Sequence, residues 1–424
     1  MSKELERIAE KSRNKEKVQN IMYLINKDTL TEEHKRQQNG KAEGIDKTTK
    51  TQYAEKLNEN LEQLIGNMKQ LKYRPQPVRR TYIPKEGSDK LRPLGIPAYE
   101  DKLVQGAMTR ILNTIYEEKF YEFSYGFRPN KSCHDALRKL DDILMARKAN
   151  YVVDADIKGF FENVDHKWLI KFIENDIQDK TFVRYISRFL NAGVMEGNKH
   201  YETDKGTPQG GVISPILANV YLHYVLDMWF DKEVKKHCNG ETYMIRYADD
   251  NVWCFQYESE AKNFYEALKK RLAKFGLAIA EDKSKIIKFG RYSGGSKDKF
   301  DFLGITHIQG KTNSGKFVVE HRTSKKKLKA KKQAAKKWLK ENMHKPVNEI
   351  IKKLNIKLEG HYRYYGISRN SKGIVVFYNY IIKQLYFVLS RRSQKNGFNW
   401  EKFYKILKYN PVAEPRIYVR LGIQ

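Results

Sequence analysis

The chain has 424 residues and carries 81 Lys and Arg against 51 Asp and Glu, a formal net charge of +30. An excess of this size points to a polyanionic partner, most simply nucleic acid. With 40% hydrophobic residues, 27 Tyr and 20 Phe, this is a folded globular protein of two or three domains rather than a basic structural protein.

The cysteines and the N-terminus exclude several other classes. Three scattered cysteines without a paired spacing exclude a disulfide framework and a cysteine-rich zinc module. The segment Met1–Arg7 has no apolar signal-peptide region, and no stretch approaches a membrane span. We therefore expect a cytoplasmic protein that has no membrane partner.

The N-terminal third predicts helices and one basic hairpin. Apolar residues at helical spacing over 53–71 predict a helix, which Pro75 and Pro77 end. Strand-like stretches at 79–85 and 91–96 predict a hairpin.

Two helices are expected after the hairpin, over 103–115 and 132–144. Ser132 should cap the second of them, with Asp135 completing a capping box.

From residue 151 the pattern changes to alternating strands and helices. Ser214 as N-cap and Pro215 at the first helical position mark one strong helix start. Apart from that helix, the expected order is strand 151–157, helix 166–175, a hairpin around 247–250, helix 259–275 and strand 285–289. This order predicts a split, ferredoxin-like βαβ unit. In that topology Asp156 and the tip of the hairpin can lie on adjacent central strands.

The hairpin tip carries the chemistry. Asp249 and Asp250 are adjacent carboxylates that repel each other unless positive charge lies against them. Divalent cations prefer oxygen ligands, and two such ions are a common device for phosphoryl displacement. A solvated Asp-Asp turn is the alternative for these residues alone, whereas Asp156 at a strand end supplies a third carboxylate.

Beyond residue 309 the composition shifts to a basic one. The segment 321–340 is rich in Lys, and charges of one sign destabilise a bare helix, which favours a phosphate-facing surface over a solvated face. Arg391 and Arg392 follow a run of aromatic residues. We expect residues 310–424 to form a separate, helical and basic domain.

Several motifs in order resemble those of reverse transcriptases, in particular those encoded by group II introns. They are Arg92-Pro93-Leu94-Gly95-Ile96-Pro97, Ser124-Tyr125-Gly126-Phe127-Arg128-Pro129, Asp156-Ile157-Lys158-Gly159-Phe160-Phe161, Gly206-Thr207-Pro208-Gln209-Gly210-Gly211 and Tyr247-Ala248-Asp249-Asp250. Gly44-Ile45-Asp46 resembles the N-terminal extension of that group, and the basic C-terminal region resembles its thumb and maturase domain. No paired-cysteine cluster is present, so we expect a form without the endonuclease region.

The resemblance implies an α+β fold, with right-hand polymerase fingers and a ferredoxin-like palm followed by an α-helical thumb and maturase domain. The implied domains are an N-terminal helical extension of the fingers over 1–75, fingers and palm over 76–309, and the thumb and maturase domain over 310–424.

Metal and nucleotide roles follow from the resemblance, residue by residue. Asp156 and Asp249 would bridge two Mg²⁺ ions, with the Ile157 carbonyl completing a shell and Asp250 as the weaker third carboxylate. The residues expected to contact the incoming nucleotide are Lys85, Arg92, Phe161, Gln209, Gly210 and Lys283.

Among these nucleotide contacts, Phe161 would exclude a 2′-hydroxyl, unless it is a core aromatic beside Phe160. Lys283 would be the acid for the leaving pyrophosphate, unless it is merely solvated.

The resemblance also implies contacts to the primer and to RNA. Phe302, Leu303 and Gly304 would grip the primer. The residues expected to bind RNA are Lys325, Lys326, Lys329, Lys332, Lys336, Arg391 and Arg392. The expected partners are intron RNA, an RNA template, a DNA primer and dNTPs, and a homodimer is open.

The implied function is an RNA-directed DNA polymerase that also binds its intron RNA as a maturase. Two alternatives stay open: a splicing factor whose polymerase motifs are unused, and a domesticated reverse transcriptase in phage defence or repair. An RNA-dependent RNA polymerase is disfavoured by Phe161.

Overall fold

The computed structural model describes residues 3–84, 91–392 and 398–422. The helices and strands of the first half are α1 Lys3–Arg13, α2 Lys27–Arg36, α3 Lys50–Glu55, α4 Leu57–Lys69, β1 Val78–Pro84, β2 Leu91–Ile96, α5 Tyr99–Tyr116, α6 Cys133–Ala146, β3 Tyr151–Asp156, α7 Phe160–Asn163, α8 His166–Asp176 and α9 Lys180–Leu190. Those of the second half are β4 Val194–Glu196, β5 Lys199–Tyr201, α10 Ser214–Leu222, β6 Thr242–Tyr247, β7 Asp250–Phe255, α11 Glu258–Lys274, β8 Lys285–Lys288, β9 Lys299–Phe302, β10 Ile305–Lys311, β11 Phe317–Thr323, α12 Lys325–Glu341, α13 Val347–Tyr365, α14 Ser371–Ser390 and α15 Trp400–Tyr409.

The central sheet has the strand order β6-β7-β3-β8, with every pair antiparallel. This is the predicted ferredoxin-like arrangement, in which β3 and β7 are the two inner strands. Alternate residues of β3 face opposite sides, so Val152 and Val153 belong to different hydrophobic cores. The sheet therefore divides the molecule into two packed layers.

The basic hairpin forms as predicted, with β1 and β2 antiparallel. A short hairpin of β4 and β5, which the sequence reading did not predict, extends this sheet by pairing β4 in parallel with β1. Helix α6 begins after Ser132, which forms the predicted capping box with Asp135. The helix predicted over 53–71 is divided into α3 and α4 at Lys56.

The predicted cap at Ser214 is wrong. Helix α10 is preceded by Ile213 in helical conformation, and Ser214 is its first residue. The turn from Gly211 to Ser214 accounts for this, because the Ser214 amide donates to the Gly211 carbonyl and its Oγ donates to the Pro208 carbonyl at 2.8 Å.

The prediction of a separate helical domain over 310–424 needs correction. Strand β10 runs through the expected boundary at 309/310, and β9, β10 and β11 form a three-stranded sheet. Helices α12 to α14 share a hydrophobic core with α6 and one face of the central sheet. The C-terminal region therefore packs onto α6 and the central sheet rather than around a core of its own.

Helix α14 also corrects an expectation about membranes. Within the part of the chain that the structure describes, it is the one helix long and apolar enough to cross a membrane by length and composition. Its residues Ile374, Phe377, Ile381 and Leu385 are buried, and it packs against α12, α13 and β11. These contacts are those of a core helix.

A buried carboxylate connects the C-terminal region to helix α6. Asp141 is fully buried, accepts a short hydrogen bond from the Arg369 guanidinium, and lies 3.4 Å from His321 Nε2. Burial raises the pKa of Asp141, whereas Arg369 lowers it.

We expect Asp141→Ala to lower the free energy of unfolding by about 3 kcal/mol, because it leaves the Arg369 guanidinium without its carboxylate. Urea denaturation measures this loss. Glu349→Gln is the control, since it removes an exposed ion pair with Lys353 and should cost less than about 1 kcal/mol. Equal losses in the two variants would contradict a special role for the buried contact.

Candidate active site

Three carboxylates meet at the ends of the two inner strands. Asp156, the last residue of β3, is the register partner of Asp250, the first residue of β7. Residues directly opposite in an antiparallel pair lie on the same face of the sheet. Asp249 precedes Asp250 in the turn between β6 and β7. The predicted juxtaposition of Asp156 with the hairpin tip is therefore present.

The electrostatics of these carboxylates reflect burial and mutual repulsion. Burial raises the pKa of Asp250 to about 7, although part of the residue remains exposed. Asp249, Asp156 and Asp154 add to that shift. Burial likewise raises the pKa of Asp249, and Asp156 adds to it, whereas Arg92 lowers it. Bringing a cation here would relieve both effects.

The carboxylates are adjacent but do not form a ready-made metal cage. Among the described residues, no group of three or more His, Cys, Asp or Glu side chains is gathered closely enough to hold an ion. The Lys283 ammonium lies 3.3 Å from Asp156 Oδ2 and supplies positive charge there. The donor chemistry, carboxylate oxygens with the Ile157 backbone nearby in the same cleft, nevertheless suits a hard divalent cation.

The hairpin tip is held from behind by a buried guanidinium. Arg246, in β6, is fully buried and donates to both carboxylate oxygens of Asp227, at 2.7 and 2.5 Å. It also donates to Asn219 Oδ1 at 2.9 Å and to the Ala248 carbonyl at 3.2 Å. Burial alone would raise the pKa of Asp227, but the charge of Arg246 holds it below its usual value. Arg246 thus ties the turn residue before Asp249 to the helical layer.

The Tyr125-Gly126-Phe127 segment packs directly on this turn. The Tyr125 amide donates to the Arg246 carbonyl at 2.8 Å, and Asn219 Nδ2 donates to the Gly126 carbonyl at 2.7 Å. A Cβ at Gly126 would lie 2.2 Å from the Ala248 amide nitrogen, which no side chain can tolerate. Glycine is therefore required there for the close approach of two backbones.

A cleft of about 650 Å³ opens beside Asp156 and Asp249. It brings together most of the residues predicted to contact a nucleotide, which come from four separate segments of the chain. Those that line it are Arg92, Phe161, Gln209, Gly210 and Lys283. Lys85, predicted to act with Arg92, lies outside the described residues.

The glycine-rich loop, residues 206–211, is held between strand β2 and the segment that follows β3. The Gly95 amide donates to the Gln209 carbonyl at 2.6 Å, and the Thr207 amide donates to the Phe161 carbonyl at 2.7 Å. Gly210 has φ +106°, and a Cβ there would lie 2.8 Å from the Gly95 carbonyl oxygen. Gly210 thus lets this loop approach β2. This structural role is additional to the predicted contact of Gly210 with the nucleotide.

The two adjacent aromatic residues of the Asp156 motif have different environments. Phe160 is buried in the core, with 2% of its surface exposed. Phe161 is half-buried and lines the cleft, with its ring centroid 5.2 Å from that of Phe160. Phe160, rather than Phe161, is therefore the core aromatic of the pair.

The predicted primer-contacting residues separate in the structure. Leu303 and Gly304 form the turn between β9 and β10, both with positive φ, and they line a second cavity of about 730 Å³. Asp250 and Lys327 also line that cavity. Phe302 is buried in the core and does not line the cavity. The turn residues, not Phe302, are thus available to a bound strand.

The predicted RNA-binding residues lie on α12 and at the end of α14. Lys325, Lys326, Lys329 and Lys336 are exposed on α12, whereas Lys332 is half-buried with its ammonium 5.2 Å from the Tyr380 ring centroid.

At the end of α14, Arg391 and Arg392 are exposed, and Arg392 donates to the Lys345 carbonyl at 2.6 Å. Contact of any of the α12 and α14 residues with RNA stays a prediction.

The residues that support the hairpin were not predicted from the sequence. Helical segments that resemble ordinary core contain Asn219 and Asp227. They lie 27 and 19 residues before Arg246 in the sequence. One signal was present: Arg246 is the single charge within the apolar strand that precedes the Asp-Asp pair. A charge in a buried strand requires a partner.

Comparison with known proteins places these residues in context. Residues 83–307, more than half of the chain, match the family described as Reverse transcriptase (RNA-dependent DNA polymerase). Group II intron-encoded protein LtrA of Lactococcus lactis subsp. cremoris is 39% identical over 245 residues, which are 55% of this chain and 41% of that protein. Nuclear intron maturase 2, mitochondrial, of Arabidopsis thaliana is 26% identical over 179 residues, 32% of this chain and 24% of that protein. The matches cover less than half the length of these relatives.

Among solved structures, telomerase from Candida albicans in complex with a fragment of telomeric RNA aligns with a TM-score of 0.45 and 12% identity. The alignment covers 84% of this chain and 65% of that one.

We expect Arg246→Met to cost about 3–5 kcal/mol of unfolding free energy, because it leaves the buried Asp227 carboxylate without its guanidinium partner and with the His223 ring 3.8 Å away. The double variant Arg246→Met/Asp227→Leu should recover most of that loss, since no buried charge remains. Urea denaturation of the two variants measures the difference.

The double variant still lacks the donor to the Ala248 carbonyl. Hydrogen–deuterium exchange of a peptide spanning 244–252 should therefore be faster than in the native chain. Native exchange in the double variant would contradict the role of Arg246 in holding the tip.

Proposed function

Because the chain belongs to the reverse transcriptase family, we propose that it is an RNA-directed DNA polymerase that extends a primer with dNTPs on an RNA template. The observation that carries the proposal is the single cleft in which Asp156 and Asp249 lie together with Arg92, Phe161 and Gln209. Carboxylates beside a cation and a glycine-rich loop suit the positioning of a triphosphate for in-line displacement.

Reverse transcriptases use divalent metal ions, and we propose that this chain uses two Mg²⁺. Asp156 and Asp249 would hold them, with Asp250 and the Ile157 carbonyl as further oxygen ligands. When bound, such ions lower the pKa of a primer 3′-hydroxyl and neutralise charge on the phosphates.

The other cleft residues would bind and orient the nucleotide. Arg92, exposed at the cleft and attracted to Asp249, would contact the triphosphate. Lys283, whose ammonium lies 3.3 Å from Asp156, would hold a proton on Nζ for the departing pyrophosphate. Phe161 would lie under the sugar, where its ring leaves no room for a 2′-hydroxyl.

We further propose that the protein binds intron RNA and assists splicing. The names of the relatives, a group II intron-encoded protein and an intron maturase, support this extension. So do the net charge of +30 and the exposed lysines of α12. The intron role is separable from polymerisation, because its proposed contacts lie outside the cleft.

Primer extension on an RNA template with Mg²⁺ tests the polymerase. We expect the native chain to extend with dNTPs and Asp249→Ala/Asp250→Ala to lose activity by at least about a thousandfold, because the oxygen ligands are removed. Asp231→Ala, which removes a surface carboxylate paired with Lys235, is the control. A native chain that binds RNA tightly but never extends a primer would instead favour the splicing-factor function.

The sugar preference tests Phe161. Phe161→Ala should raise the efficiency of rNTP relative to dNTP incorporation by about ten- to a hundredfold, because a steric exclusion is removed. Phe161→Tyr retains the ring and should keep the native ratio. An unchanged ratio in Phe161→Ala would show that another residue selects the sugar.

A further inference from the structure

Four aromatic residues of helices α14 and α15 form an array on the surface of the C-terminal region. We name Phe387, Tyr386, Trp400 and Tyr404 the aromatic ladder. Tyr386 and Trp400 stack with ring centroids 3.9 Å apart and an interplanar angle of 6°. The ring centroids of Trp400 and Tyr404 are 5.8 Å apart. Phe387 lies 5.8 Å from Tyr386 at the other end.

Three of the four ladder residues are exposed, whereas Tyr386 is half-buried against the core. Tyr404 is 59% exposed, Phe387 44% and Trp400 37%. Helix α15 is attached to the protein by buried Phe403, by half-buried Leu407 and by the stack of Trp400 on Tyr386. Packing of α15 therefore does not require Tyr404 to be aromatic, and the exposed rings are available to a ligand.

We propose that the aromatic ladder binds unpaired bases of RNA by stacking. The proposal rests on the proposed function, which supplies RNA as the partner, and extends it to a surface that is separate from the cleft and from α12. Every nucleobase has a π-face, and stacking on exposed aromatic rings is how many proteins bind single strands. Bases inside a duplex have both faces covered, so the ligand must be unpaired.

The surrounding charge favours RNA over a protein partner. Helix α15 carries Lys402, Lys405 and Lys408 against a single acidic residue, Glu401. Two exposed arginines, Arg391 and Arg392, directly follow α14. Lysine is depleted at protein–protein interfaces, whereas lysines beside aromatic rings suit a chain of bases and phosphates.

The test uses the full-length chain with short fluorescein-labelled RNAs, one single-stranded oligo(U) and one blunt duplex. Fluorescence anisotropy should show Tyr404→Ala binding the single strand about tenfold more weakly and the duplex as tightly as the native chain. The salt dependence should not change, because a stacked ring releases no counterions, whereas Lys405→Ala/Lys408→Ala should lower its slope.

Two further variants keep the outcome clear. Tyr409, 83% exposed on the same helix, makes no ring contact with the ladder among the described residues, so Tyr409→Ala should bind as the native chain does. Trp400→Phe retains an aromatic ring where Trp400→Ala could loosen α15, and it should lose less affinity than Tyr404→Ala.

Unchanged single-strand affinity in Tyr404→Ala would overturn the proposal. A change of oligomeric state in that variant, measured by light scattering, would assign the surface to a second copy of the chain and overturn it as well. Primer extension on a short template should be native in Tyr404→Ala at saturating protein. If the native chain bound oligo(U) through the ladder but extended no primer, the polymerase would be refuted and the ladder retained.

Discussion

Repulsion between carboxylates is the constraint on which the rest of the structure depends. Asp156 and Asp250 are register partners on adjacent strands, and Asp249 immediately precedes Asp250. Burial raises the pKa of Asp249 and of Asp250, and the neighbouring carboxylates add to both shifts. The fold counters this with cations on the open side, Lys283 and Arg92, and with a rigid support behind the hairpin. A site held in this way gains affinity for a divalent cation, because binding removes the repulsion.

The rigid support is a buried ion pair used for placement. Asp227 and Arg246 are both fully buried, and such pairs contribute little net stability because desolvation offsets their attraction. Arg246, however, also reaches the Ala248 carbonyl, and the absence of a side chain at Gly126 lets a second backbone approach the same turn. The pair therefore specifies where the tip lies. A second close approach of two backbones at glycine occurs across the cleft, where Gly95 and Gly210 bring the fingers hairpin and the glycine-rich loop into contact.

The C-terminal region combines structural and surface roles. Its helices cover one face of the central sheet, and Asp141 of α6 holds Arg369 across that boundary. Helices α12 and α13 also contribute to the cavity that contains Asp250, Leu303 and Gly304. This packing connects the C-terminal helices to the strands that carry the carboxylates through a shared core. The positive charge stays on the outside, on α12, α15 and the end of α14.

Much of the local structure was determined by the sequence itself. Hydrophobic periodicity, the Ser132 capping box and the Asp-Asp turn predicted many of the helices and strands between residues 53 and 289, because these signals act between near neighbours. The order of those elements along the chain then predicted the ferredoxin-like central sheet. Other features depended on contacts between distant segments. Examples are the partners of Arg246, the core position of Phe160 beside the cleft position of Phe161, and the β4–β5 hairpin pairing with β1. The union of the C-terminal helices with the palm is another, since apolar periodicity identifies a buried face but not its partner. Tertiary packing alone decides which buried surfaces meet, because burial of apolar area is non-directional and many pairings satisfy it.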